Sequence, residues 1–248
     1  MSPNEMVGLC EPFYGSGAMD AKRQIVSVDF DEQAPRRVAP KGLSRLFTYA
    51  TGKDILVVGP SGAGKTKFGE YLKWGILSQE GTREMTYHIT KSATFAICIG
   101  EGGFTLKVRR AMDTPGQTGP VDHATLVGQR KPHAVIVVVD CTKEPASSLR
   151  WLHLFFDRLD TVIRKNNAVL KRLDGMVVLL NKRDKVRKPK LNRLREDVEE
   201  VLAEHLSVSM GADYVRAIPI LECVSVETRR GSTLIDNVIA QLMQQLAR

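Results

Sequence analysis

The chain has no apolar run long enough to cross a bilayer. A spanning helix needs about 20 predominantly apolar residues, and the longest strongly apolar run here is residues 134–139. The first residues, MSPNEMVGLC, lack the basic stretch and apolar core of a secretory signal. Ser2 stands where myristoylation requires glycine, and the final LAR contains no cysteine for prenylation. We therefore expect no lipid anchor.

Cysteine is also scarce. The four cysteines are far apart in the sequence and form no CxxC pair, which argues against a zinc site built on cysteine. Cys98, Cys141 and Cys223 lie in or beside apolar strand-like runs, where a free cysteine behaves as a small hydrophobic residue. A reduced compartment fits this pattern, so we expect a cytoplasmic location.

Acidic residues are outnumbered, 28 against 36 lysines and arginines, and the formal net charge is +8. Much of the excess lies in residues 181–195 (NKRDKVRKPKLNRLR). A solvated loop followed by the start of a helix is one explanation of this run. A weak contact of Lys182 to Arg195 with an anionic surface is the alternative, because such charge favours association with nucleic acid or membranes.

Regular structure is predicted from residue 53 onward. Residues 1–52 form an irregular N-terminal extension of unknown role, with one strand candidate at residues 24–30. Residues 53–248 alternate short apolar runs with helical patterns, which predicts an α/β domain with helices on both faces of a mostly parallel sheet. The predicted strands are residues 54–58, 94–99, 104–112, 134–140, 176–181 and 218–223, and the predicted helices are residues 65–78, 147–166, 193–206 and 233–246. The glycine-rich link GEGG predicts that the second strand, at one edge, is antiparallel to the third.

A phosphate-binding loop is predicted at residues 59–66 (GPSGAGKT), which match G-x-x-x-x-G-K-[ST] between a strand and a helix. Its glycines let backbone N–H groups surround an anion, and the helix adds its positive end. Lys65 should reach the β- and γ-phosphates, and the Thr66 hydroxyl should bind Mg²⁺. The predicted phosphate-binding residues are Gly59, Ser61, Gly62, Ala63, Gly64, Lys65, Thr66 and Lys67. A nucleophile elbow around Ser61 fails, because Ala63 stands where that motif needs glycine.

A second motif, DTPGQ, ends the third predicted strand. Asp113 is predicted to hold Mg²⁺ and Gly116 to donate its amide to the γ-phosphate. Gln117 is predicted to orient the attacking water, so that Gln117 and Lys65 are the candidate catalytic residues.

The loop after the first helix should supply a second threonine for Mg²⁺ and the γ-phosphate. The candidates are Thr82, Thr86, Thr90 and Thr94. We choose Thr90, which lies just before the second predicted strand, although a plain loop threonine is the alternative. Arg83 is a candidate arginine finger in the same loop, and a solvated arginine is the simpler interpretation.

A base-binding motif, NKRD, follows the fifth predicted strand. Asp184 can accept hydrogen bonds from N1–H and N2–H₂ of guanine, whereas adenine has no N1 proton. Asn181 should tie the base loop to the phosphate loop, and the stem of Lys182 should cover the ring face. Ser225 and the amide of Val226, after the last strand, should lie near guanine O6.

In order and spacing, GPSGAGKT, DTPGQ, NKRD and VSVETRRG resemble the motifs of the Ras/Arf small-GTPase superfamily. The segment HITKS (residues 88–92) is loosely similar to the switch region of Arf-like proteins and of the signal-recognition-particle receptor β subunit. The resemblance implies a P-loop G domain with six strands and five helices. It also implies GTP/GDP cycling with Mg²⁺, and protein partners (an effector, a GTPase-activating protein and an exchange factor) that read the switch loops.

Two departures accompany the resemblance. Val226 and Glu227 replace the usual alanine and lysine of the last motif. The second departure is that the family's lipid signals are missing. We expect a slow GTPase that acts as a switch. The alternatives are a GTP-binding structural subunit of a larger assembly and, less compatible with NKRD, a P-loop kinase or ATPase. The oligomeric state is left open.

Overall fold

The described strands form a single β-sheet. The computed structural model describes residues 35–38, 50–74, 90–91, 94–99, 105–224, 236 and 238–240. Its strands are β1 (Pro35–Val38), β2 (Lys53–Val58), β3 (Thr90–Lys91), β4 (Phe95–Ile99), β5 (Thr105–Asp113), β6 (Ala134–Asp140), β7 (Gly175–Asn181) and β8 (Ile220–Glu222). The order across the sheet is β1-β4-β5-β2-β6-β7-β8, and β3 pairs with β5.

The strands from β5 to β8 across the sheet are parallel. Parallel pairing joins β2 to β5 and β6, β6 to β7, and β7 to β8. Antiparallel pairing joins β4 to β5 and to β1, and β3 to β5. The predicted mostly parallel α/β sheet of six strands and its antiparallel pair are thus confirmed. The short strands β1 and β3 extend it, so β4 is not the edge.

Helices lie between the strands. They are α1 (Lys65–Trp74), α2 (Pro120–Arg130), α3 (Pro145–Lys165), α4 (Asn167–Leu170), α5 (Lys188–Met210) and α6 (Ala212–Arg216), with a 3₁₀ turn at Arg183–Lys185. Proline lies in the first turn of α2, α3 and α5, where its missing N–H costs no hydrogen bond. Residues 236 and 238–240 of the predicted last helix are helical.

Apolar side chains are buried on both faces of the sheet. On one face, Val135, Val137 and Val139 pack with residues of α2, α3 and α5. On the other face, Ile136 and Val138 pack with residues of α1 and with residues 238–239. This alternation explains why β6 is apolar throughout, since a parallel sheet is covered on both sides. In the described part of the chain, no helix is both long and apolar enough to span a bilayer.

Several boundaries differ from the prediction. Helix α2 was not predicted, because its buried residues are only His123, Ala124 and Val127, which form a weak apolar stripe. Helix α5 begins five residues before the predicted residue 193, since its basic first turn looks like a loop. Four residues of the predicted irregular extension form β1. The strand candidate at residues 24–30 and the hairpin loop at residues 100–103 lie outside the described residues.

Candidate functional site

The carboxyl ends of four parallel strands meet at one edge of the sheet. Strand β2 leads into residues 59–66, and β5, β6 and β7 end at Asp113, Asp140 and Asn181. In open α/β sheets, ligands bind in the crevice at this edge. The topology therefore places all three predicted motifs around one crevice.

The backbone of residues 59–66 follows a path that side chains would block. Gly59 has φ +146°, and a Cβ there would lie 2.3 Å from the carbonyl oxygen of Val138. Gly64 has φ +100°, and a Cβ there would lie 2.3 Å from Nδ2 of Asn181. Gly62 also has positive φ, +74°. Only glycine adopts these conformations at low cost, and α1 begins at Lys65, so the loop has the form of an anion nest at a helix N-terminus.

The DTPGQ turn packs directly on this loop. A Cβ on Gly116 would lie 2.7 Å from Cα of Ser61 and 3.1 Å from Nζ of Lys65. Thr114 fixes the start of the turn, because its hydroxyl donates to the carbonyl of Val57 at 2.9 Å. Gln117 is exposed in the turn. The predicted γ-phosphate residues of both motifs are therefore adjacent.

Lys65 is a buried cation in the middle of this arrangement. Its Nζ donates to the carbonyl of Pro60 at 3.0 Å. Burial lowers the pKa of Lys65, and the negative charge of Asp113 counteracts this effect. A buried ammonium group that faces a crevice is suited to a strongly anionic ligand.

The predicted magnesium ligands come together beside Lys65. The Thr66 hydroxyl donates to a carboxylate oxygen of Asp113 at 2.5 Å, and Thr90 pairs with Asp113 across β3 and β5. The hydroxyl and carboxylate oxygens in contact here are the hard donors that Mg²⁺ prefers. Thr66 and Asp113 therefore fit this ion, and the backbone register brings Thr90 to the same place. Arg83, the candidate arginine finger, lies outside the described residues.

The NKRD segment is tied to the phosphate loop. Asn181 Nδ2 donates to the carbonyl of Ala63 at 2.7 Å, and its Oδ1 accepts the amide of Lys182 at 2.9 Å. Lys182 has φ +62°, a left-handed conformation that is uncommon for lysine. Its Nζ donates to the carbonyl of Gly62 at 2.7 Å. Two hydrogen bonds therefore link the NKRD segment to the phosphate loop, one from Asn181 to Ala63 and one from Lys182 to Gly62.

Asp140 anchors Lys182 and was not among the predicted site residues. Its buried carboxylate accepts from Lys182 Nζ at 2.7 Å and from the amide and hydroxyl of Thr142 at 2.9 and 2.6 Å. Burial raises the pKa of Asp140, but the hydrogen bonds from Lys182 and Thr142 outweigh burial and lower it below the ordinary value. In the sequence, the position of Asp140 at the end of the otherwise apolar strand AVIVVVD could have indicated a site residue.

Asp184 lies on the 3₁₀ turn with its side chain exposed. The turn is held by the amide of Arg183, which donates to the carbonyl of Cys223 at 3.1 Å. The guanidinium groups of Arg183 and Arg195 both contact the carboxylate of Glu222. The turn that carries Asp184 is thereby held near the end of β8. Ser225 and Val226 lie outside the described residues.

His123 is a second residue that sequence reasoning missed. It is 0% exposed, and its Nε2 lies 3.1 Å from the carbonyl oxygen of Pro115, so Nε2–H donates and Nδ1 keeps the lone pair. Nδ1 has no hydrogen-bond partner among the described residues. Burial lowers the pKa of His123 to about 4, and the positive charge of Lys65 adds to the effect, against opposition from Pro115 and Asp122. Through this hydrogen bond to Pro115, the buried imidazole ring links helix α2 to the DTPGQ turn.

Part of the basic segment 181–195 faces inward. Lys182 is bound to Asp140, and Arg183 and Arg195 are bound to Glu222. These three cations stabilise the base loop and are partly neutralised. The remaining basic residues of the segment with described exposure lie at or near the surface.

Among known proteins, similarity to this chain was found at the level of three-dimensional structure. No protein-family model and no curated protein matches the chain. The chain is similar to the solved structure of a bacterial selenocysteine-specific elongation factor EF-Sec, with a TM-score of 0.53 and 16% identity over 79% of this chain. It is also similar to elongation factor SelB from Methanococcus maripaludis in complex with the GTP analogue GppNHp, with a TM-score of 0.47 and 14% identity over 77% of this chain. The chain spans 29% and 34% of those chains.

The similarity to EF-Sec has a TM-score above 0.5. Because the sequence identity is low, this similarity supports the fold and nothing further. Within this chain, a glycine-rich loop joins strand β2 to helix α1 in a mostly parallel sheet, which is the strand–loop–helix unit of P-loop proteins. The chain therefore has the fold of a P-loop GTPase domain.

Proposed function

We propose that this protein binds GDP and GTP with Mg²⁺, hydrolyses GTP slowly and works as a nucleotide-dependent switch for protein partners. The observation that carries the proposal is the meeting of three separate motifs on one loop. Gly116 packs on Ser61, Asp113 accepts a hydrogen bond from Thr66, and Asn181 donates to Ala63. Motifs that share only a chance sequence pattern would not converge in this way.

The phosphate end of the site would bind and orient the triphosphate. Backbone N–H groups of the glycine-rich loop and the buried Nζ of Lys65 supply positive charge where the phosphates carry negative charge. When bound, Mg²⁺ supplies charge neutralisation between the β- and γ-phosphates, and Thr66, Asp113 and Thr90 are the residues that would hold it. Gly116 lies beside Lys65 and would offer its amide to the γ-phosphate.

Hydrolysis in this proposal depends on Gln117. Its side chain is exposed next to Gly116 and can orient a water molecule for in-line attack. With no arginine among the proposed ligands, turnover should be slow, on the order of 10⁻⁴ s⁻¹ as in unassisted Ras, and a supplied arginine would add ~10³–10⁵-fold. Slow intrinsic turnover is the behaviour of a switch that partners reset.

Gln117→Leu tests the hydrolytic part. Leucine cannot orient water, so single-turnover hydrolysis should fall strongly while GTP affinity stays unchanged. Gln129→Leu is the matched control, because Gln129 is also exposed and lies in the following helix α2. Equal single-turnover rates for wild type and Gln117→Leu would contradict the proposed role.

A GTP-binding structural subunit is the second candidate. In that role the nucleotide stabilises the fold, and turnover is incidental. The interlocked base and phosphate loops are compatible with it, because bound nucleotide would bridge α1, β5 and β7. Hydrolysis unaffected by cell extract, together with switch loops that do not respond to the γ-phosphate, would favour it.

A further inference from the structure

Three metal-ligating side chains meet between helices α3 and α5. His153 Nδ1 lies 2.9 Å from His205 Nε2, and a carboxylate oxygen of Glu204 lies 3.6 Å from the first atom and 3.9 Å from the second. None of these residues belongs to the proposed nucleotide site. None of the three residues is a cysteine, so the lack of CxxC pairs in the sequence does not bear on this cluster.

The two helices that carry these side chains are packed on the core next to the cluster. Leu152 precedes His153 and Leu206 follows His205, and both leucines are 0% exposed in the same apolar cluster. The ligands therefore come from two helices that are already packed together. Adjacent residues on a helix do not normally face each other, so the convergence of Glu204 and His205 on one point does not follow from helix spacing.

A hydrogen-bonded histidine pair explains only part of this geometry. One neutral imidazole can donate to the other across 2.9 Å. The carboxylate of Glu204, however, faces both ring nitrogens at distances too long for a good hydrogen bond to either. A third ligand to a shared ion would stand in that place.

We propose that His153, Glu204 and His205 bind one divalent transition-metal ion, with Zn²⁺ as the best fit. Zinc bonds of about 2.0–2.1 Å in tetrahedral geometry place two ligand atoms about 3.4 Å apart, and the three observed separations lie on both sides of that value. A water molecule completes the four-coordinate ion. Imidazole selects zinc, nickel or copper over magnesium, so the ion does not compete with the nucleotide's Mg²⁺.

The site is open to solvent and joins two structural elements. The side chains of His153, Glu204 and His205 are 43%, 58% and 16% exposed, so an ion can enter without unfolding. Once bound, the ion links α3 to α5 and adds its binding free energy to the folded state. Cys141 and Cys223 do not compete well, because burial raises the pKa of both thiols to about 12 and the thiolate is the ligand.

The test is calorimetric titration of the full chain with Zn²⁺ alone, in the presence of saturating GDP and Mg²⁺. Wild type should bind one ion, and its melting temperature should rise by about 5 °C or more at a hundredfold excess over the dissociation constant. His153→Gln and His205→Gln should each weaken binding by more than the ~10–100-fold that follows loss of an outer-shell partner. Glu204→Gln should weaken it as well.

Glu200→Gln is the matched control, because Glu200 is an exposed carboxylate one helical turn before Glu204. It should bind like wild type. Melting curves recorded in a chelator show whether each variant is folded, and any loss of the zinc-dependent rise is judged against that baseline. Absence of binding by wild type, or equal binding by wild type and the two histidine variants, would overturn the proposal.

Discussion

At the scale of single residues, Asp184 should decide which base is bound. Its carboxylate is exposed on a fixed turn and can pair with two donors of guanine. Sites built around such hydrogen bonds reject analogues that lack them by ~10⁴–10⁵-fold. We predict that Asp184→Asn loses guanine selectivity and gains affinity for xanthine nucleotides, because the amide can donate to the xanthine O2.

Competition against a labelled guanine nucleotide measures this prediction. Asp213→Asn is the control, since Asp213 has a side chain that is 99% exposed on α6. Equal competition by ATP and GTP against wild type would show that Asp184 does not read the base.

His123 should make stability depend on pH. Its pKa is about 4 in the folded protein and 6.5 ordinarily, so the unfolded chain binds a proton between these values that the folded chain does not. Stability should therefore be complete above pH 6.5 and fall toward pH 4, by on the order of 3 kcal/mol. His133, whose pKa burial also lowers, contributes in the same direction, so a variant is needed to isolate His123.

Urea unfolding of wild type and His123→Gln provides that measurement. Glutamine does not titrate, so the difference in unfolding free energy between the two proteins should be larger above pH 6.5 than near pH 4. A difference that stays constant across this range would mean that His123 does not titrate as described.

At the scale of elements, Asp140 at the end of β6 should hold the base loop after β7. Its carboxylate binds Lys182, which in turn binds the phosphate loop. Asp140→Asn leaves the Lys182 ammonium group without its charge partner, so we predict faster dissociation of bound nucleotide and a loss of stability of about 1–3 kcal/mol.

Asp174→Asn is the matched control for Asp140→Asn. Asp174 pairs with Lys53 at 2.6 Å and precedes β7, at the opposite end of the sheet. It should lose little stability and leave nucleotide dissociation unchanged. Equal dissociation rates in the two variants would show that the link from Asp140 to the base loop has no role in binding.

The elements also show what the sequence could predict. Most of β2, β6 and β7 consists of apolar runs with clear boundaries, and α3 has a continuous apolar stripe, so their apolar patterns identify them. Strand β5 carries Lys107, Arg109 and Arg110 between its buried residues and is a weaker pattern. Helix α2 buries a histidine and an alanine, which no apolar pattern reveals. Strand β1, PRRV, is identified only by its pairing with β4.

The site divides in the same way. Lys65, Asp113 and Asn181 belong to motifs with fixed spacing, and the structure brings them together. Asp140 and His123 have no fixed spacing from those motifs. Their roles arise from contacts with Lys182 and Pro115, which depend on how β6 and α2 pack.

At the scale of the whole molecule, the proposed function requires that nucleotide binding change the conformation of segments that protein partners can contact. The turn after β5 leads into α2, and β3 pairs with Asp113 at the proposed magnesium site. Both segments would respond to a γ-phosphate, and protein partners are proposed to read them. The exposed basic residues Lys185, Arg187, Lys188 and Arg193 form a separate surface, for which we propose a weak contact with an anionic partner.

Limited proteolysis of the full chain with a GTP analogue and with GDP tests the switch most directly. We predict that the analogue protects residues 81–92 and 114–130 more than GDP does, because Thr90 and Gly116 gain contacts to the γ-phosphate and its Mg²⁺. Strand β6 and helix α3 should be equally protected in both states. Identical protection of residues 81–92 and 114–130 in the two nucleotides would contradict the switch and leave a GTP-binding structural subunit.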